Sequence, residues 1–87
     1  MVEILKVAAT SNPNAVAGAI AGALESAGLV EAHAIGAGAV NQAVKAIAIA
    51  RRLVEREGEP EIKVVPGFVD VEIGDEIRTG MRFVIQR

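Results

Sequence analysis

The stretch from Val40 to Val54 constrains this chain more than any other. On a helical wheel with steps of about 100°, Val40, Ala43, Val44, Ala46, Ile47, Ile49, Ala50, Leu53 and Val54 cover more than half of the circumference. A helix resting on one sheet face needs a narrower apolar stripe than that. The surplus predicts a helix that packs on a sheet and also on a second helix or another subunit. The remaining arc, Asn41, Lys45, Arg52, Glu55 and Arg56, is polar and locally basic. The spacing predicts this helix over 38–57, with Gly58 ending it.

A second helix is expected upstream. Asn12 is a good N-cap and Pro13 fits the first helical position, where its missing N–H costs nothing. Val16, Ile20, Ala23, Leu24 and Ala27 then recur at helical spacing, and Gly28 supplies the C-terminal stop. Gly18 and Gly22 weaken this helix by roughly 1 kcal/mol each relative to alanine. Close packing against the sheet or the other helix is expected to offset that loss.

The remaining apolar runs are short and β-branched. Val2–Ala9 and Glu31–Ile35 read as strands, and Ile62–Ile73 as a long one after a Glu59-Pro60-Glu61 connector. Pro66-Gly67 inside that strand marks an edge position or a bulge, because proline cannot donate to a ladder. Gly74-Asp75 is a tight hairpin turn. Ile77, Thr79, Met81, Phe83 and Ile85 alternate with a more polar set, as in a half-buried strand. Phe68 and Phe83 are the only aromatic residues, and both are expected in the core. The order β-α-β-α-β-β predicts an α/β two-layer sandwich, a mixed four-stranded sheet with two helices on one face. At 87 residues this is a single domain, and self-association would help stabilise so small a core.

Chemistry is constrained mostly by what is missing. The chain has no cysteine, so disulfides, thiolate metal sites and cysteine nucleophiles are excluded. His33 is the only histidine; it sits in a strand without a nucleophile elbow around it. It shares a strand face with Glu31, but two ligands make a weak metal site, so no metal is expected. Glu55, Glu57, Glu59 and Glu61 read as a solvated run, and Asp70 and Glu72 have nothing to activate them. The Gly36-Ala37-Gly38 joint enters a helix whose first N–H groups are unpaired, a place where anions bind readily. Asn41 occupies the position of a third glycine and no Walker lysine follows, so no nucleotide cofactor is expected. These absences point away from an enzyme. An acidic residue near the start and no apolar run of membrane-spanning length predict a cytoplasmic protein without a membrane partner.

The sequence also resembles a known family. Glu3-Ile4-Leu5-Lys6-Val7, Ser11-Asn12-Pro13-Asn14 with Val16-Ala17-Gly18-Ala19, and the ungapped run from Ala34-Ile35-Gly36-Ala37-Gly38 through Ala50-Arg51 are similar to the stage V sporulation protein S family. That resemblance covers essentially the whole chain. It implies regulation of sporulation and septation, and a fold similar to the Alba group of chromatin and RNA-binding proteins. Those assemble as dimers and touch nucleic acid through the β1–α1 loop, the start of the second helix and the β3–β4 hairpin. Carried onto this chain, the expected DNA- or RNA-binding face is Lys6, Asn12, Asn14, Gly36, Gly38, Asn41, Gln42, Lys45, Arg78 and Arg82. The first loop and the helix entry lack the basic residues usual in Alba proteins, and the net charge is −2. Backbone N–H groups and amides would then share the phosphate contacts, giving weak, salt-sensitive binding or recognition of a shape or a single strand. A homodimer or homotetramer is expected. The alternative is a protein-interaction module that recruits another sporulation or division factor without nucleic acid. A third reading is a small-anion binder at the Gly36–Gly38 helix start.

Overall fold

In the computed structural model, which describes residues 2–55 and 61–87, the chain runs β1 (Glu3–Val7), α1 (Pro13–Ala27), β2 (Leu29–Ala34), α2 (Ala37–Val54), β3 (Lys63–Ile73) and β4 (Glu76–Gln86). The sheet order is β1-β2-β4-β3. Strands β1 and β2 are parallel and joined through α1, while β4 runs antiparallel to both β2 and β3. This is the expected mixed sheet with two helices. The local signals also hold: Asn12 Oδ1 accepts from the Asn14 N–H at 2.9 Å, Pro13 opens α1, and Gly28 closes it in the left-handed conformation. The expected end of α2 at Glu57 and Gly58, its Arg56, and the start of the connector at Glu59-Pro60 lie outside the described residues.

Alternation along the strands divides the side chains between two faces. Val30, Ala32 and Ala34 of β2 point at the helices with Phe83 and Ile85 of β4, and all five are buried. Ile20 and Leu24 from α1 meet them, as do Ala39, Ala43, Ala46 and Ala50 from α2. The alanines let α1 and α2 lie against each other and the sheet together, which uses the wide apolar arc of α2. Val44 and Leu53 at its margins remain about half exposed.

Several expectations fail, each for a positional reason. The helices cover β1, β2 and the inward side chains of β4, whereas β3 lies at the sheet edge, where Val64 still packs against the core and the residues from Phe68 onward lie beyond it. Phe68 on β3 is therefore 77% exposed and is not a core residue. Ile77 is also exposed, because β2 pairs only with Met81–Gln86 of β4 and leaves the hairpin beyond it unsupported. From Val69 to Gly80 the β3–β4 hairpin is a two-stranded arm, contributing to a molecule 47 Å long and 25 × 17 Å across. Gly18 and Gly22 do not permit a close approach: they face outward, and an added Cβ would meet nothing within 4 Å. Ala27 is exposed for the same reason of facing. Pro66 does mark an edge strand, and the unbroken register from Lys63↔Gln86 to Ile73↔Glu76 contains no bulge.

Candidate functional site

The topology gathers most of the sequence-predicted residues at one end of the molecule. Parallel strands β1 and β2 end there, α1 and α2 begin there, and the hairpin arm leaves from the same end. Strand β1 stops at Val7 because the chain turns at once: the Ala8 N–H donates to Ser11 Oγ at 2.9 Å, and the Ser11 N–H to the Ala8 carbonyl. The entry to α2 packs directly on this turn. A Cβ on Gly38 would lie 2.9 Å from the Ala9 Cβ, and Gln42 Nε2 donates to the Ala9 carbonyl at 3.2 Å. The left-handed φ of 89° at Gly36 makes the sharp entry possible.

The predicted residues thus divide by role. Asn12 caps α1, Gln42 ties α2 to the first loop, and Gly36 and Gly38 shape the α2 entry. Asn14 and Asn41 are exposed beside them, and Lys45 lies one turn beyond Asn41 on the outer surface of α2. Lys6, Arg78 and Arg82 belong to the sheet face that the helices leave uncovered. Among the described residues neither Lys6, Lys45, Arg78 nor Arg82 has a salt-bridge partner.

That uncovered face carries an arrangement that sequence spacing did not show. Lys6 is in register with His33, and His33 with Arg82, so the three form one row across β1, β2 and β4. Arg82 is opposite Gly67, whose missing side chain leaves β3 bare beneath the guanidinium. His33 is hydrogen-bonded within its own strand. Its Nε2 is 3.0 Å from Glu31 Oε1; since a carboxylate only accepts, Nε2 carries a proton there. The signal was outward alternation in β1, β2 and β4, legible only once the strand order is known.

The field at this end is uneven. Both helices point their positive ends toward it, and neither has an acidic residue in its first turn. The arm is different: Asp70, Glu72, Asp75 and Glu76 outnumber Arg78, and Asp70 accepts a hydrogen bond from Thr79. Favourable ground for an anion is therefore the base of the arm and the sheet face, not the arm tip. At the opposite end of α2, Arg51 pairs with Glu61; that hydrogen bond, then the charges of Glu61 and Glu55, raises the guanidinium pKa. Among the described residues no group of three or more His, Asp or Glu could hold a metal, and no helix is long and apolar enough to cross a membrane.

Comparison with known families matches residues 3–87 to the family described as Stage V sporulation protein S, SpoVS. The chain belongs to that family. Membership implies a sporulation-related role, and SpoVS is not known as an enzyme family. The match spans both helix entries, the Lys6–His33–Arg82 row and the whole arm, so every part of the candidate site lies within the SpoVS unit.

Proposed function

We propose that this SpoVS chain acts as a nucleic-acid-binding regulator, assembled as a homo-oligomer and without catalytic activity of its own. The observation that carries this reading is the Lys6–His33–Arg82 row on an uncovered sheet face, near the end of the sheet where both helices begin. Phosphates would meet Lys6, Arg78 and Arg82, while Asn14, Asn41 and Lys45, on the helix side of the molecule, would add contacts only to a strand that wraps around this end. Asn12, Gly36, Gly38 and Gln42 would act by holding the two loops in place. Charge-assisted contacts to phosphate are the strong ones, roughly 1.5–3 kcal/mol each. The uncovered helix-side surface of β3, where Phe68 is exposed, supports self-association.

The test is fluorescence anisotropy with labelled DNA and RNA at low salt. Lys6→Gln together with Arg82→Gln should weaken binding at least about tenfold, the factor that 1.4 kcal/mol represents. Lys45→Gln, on the helix side, should weaken it less. Equal binding by the double variant and the parent would overturn the assignment of this face.

The acidic arm favours a second reading, a protein-interaction module whose partner engages the arm and its exposed Ile77. That reading predicts a protein recovered by pull-down that persists after nuclease treatment and is lost on Ile77→Asp.

A further inference from the structure

Where the arm leaves the sheet, its uncovered face overhangs the ends of β1 and β2 and encloses a cleft of about 370 Å³. Pockets for small ligands begin near this size, roughly 300 Å³. The walls are chemically divided. Lys6, His33 and Arg78 supply polar groups, whereas Ile35, Val71 and Ile73 supply apolar ones; Val7 borders the cleft with its backbone, its side chain lying in the core. Glu72 also borders the cleft; as the residue between Val71 and Ile73, its side chain leaves the strand on the opposite face. Lys6 and Arg78 arrive from different strands and neither has a salt-bridge partner among the described residues. The base of the arm beside the cleft is anchored. Gly80 sits so close to the end of β2 that a Cβ would be 2.7 Å from the Ala34 carbonyl oxygen and 2.9 Å from Ile35 Cγ1. The arm is thereby pressed onto Ile35, and the Ala8–Ser11 turn fixes the other side.

We propose that this cleft is a binding site for a small organic phosphate of mononucleotide size. Its phosphate lies between Lys6 and Arg78, and its ring stacks against Ile35, Val71 and Ile73. Two unpaired cations on a concave surface select the anion, and the apolar wall selects an organic body over the bare ion. The ligand can be a free nucleotide or one nucleotide of a single strand, since the two present the same chemistry. The site uses Lys6 and Arg78, which the proposed interface also uses, but does not depend on that interface being correct.

The experiment is an amide-shift NMR titration of the full chain with AMP and with inorganic phosphate, alongside anisotropy with a labelled single-stranded oligonucleotide. AMP should perturb the amides of residues 6–9, 33–35, 71–73 and 78 saturably, at least tenfold more tightly than inorganic phosphate. Val71→Phe, which fills the cleft and removes neither cation, should weaken AMP at least tenfold. If it weakens the oligonucleotide equally, the occupant is a nucleotide of a strand; if the oligonucleotide is unaffected, it is the free nucleotide. Shifts elsewhere, AMP no tighter than phosphate, or AMP binding unchanged by Val71→Phe would overturn the proposal. Oligonucleotide binding without AMP binding would sink the cleft alone, and AMP binding without oligonucleotide binding would sink the interface alone.

Discussion

At the residue scale, glycines with the same name do opposite things in this chain. Gly80 is buried where β4 crosses the end of β2, and a methyl group there would meet a backbone carbonyl at 2.7 Å. Gly80→Ala should destabilise by roughly 1–3 kcal/mol, the usual cost of overpacking. Gly22 on the outer face of α1 has only open space around it, so Gly22→Ala should stabilise by roughly 0.5–1 kcal/mol through helix propensity. Chemical denaturation of the two variants against the parent checks both signs. Helical spacing predicts close packing at Gly18 and Gly22, and nothing in the strand alternation marks Gly80 as a contact point. Spacing on a helix says that two glycines share a face but not which face is buried. Asn12, Pro13 and Gly28 were legible because capping is decided by neighbours in the chain.

At the element scale, the hairpin is one ladder with two environments. Its lower half, Met81–Gln86 of β4, lies between β2 and β3, while residues 69–80 pair only with each other. Isolated two-stranded ladders are marginal in water. Amides of 70–79 should therefore exchange hydrogen through local opening, well before those of 30–34 and 83–85, which should approach the global limit. Hydrogen exchange followed by mass spectrometry or NMR reads this directly; uniform protection along β4 would contradict it. Two long alternating runs around Gly74-Asp75 announced the hairpin, but β2 is only Leu29–Ala34, and only its short length leaves the arm uncovered. Phe68 fits an apolar alternation and was misplaced for that reason: the alternation names a face, and the helices end before reaching it.

At the scale of the whole molecule, a net charge of −2 is divided between an acidic arm and a basic sheet face. The apolar surface is divided as well, with Phe68 and Val65 exposed along the β3 edge. If that edge joins two copies, Phe68→Ser should shift the chain toward the monomer in sedimentation while leaving its far-UV spectrum intact. The β-α-β-α-β-β order was legible because each element carries its own period and punctuation. Much of the site was not, because Lys6, His33 and Arg82 are far apart in the chain and meet only through strand register.

The central claim is that this face engages phosphates through few charges. Each neutralised phosphate contributes about −0.9 to the slope of log K against log salt on duplex DNA, and about −0.7 on single strands. With Lys6, Arg78 and Arg82 engaged, the slope should be about −2.7 or about −2.1, respectively. Removing Lys6 and Arg82 together should flatten it by about 1.8 on duplex or 1.4 on single strands. The decisive measurement is this salt series on the parent and the Lys6→Gln/Arg82→Gln variant. Absence of binding at the lowest salt, or a slope the variant leaves unchanged, would contradict the account.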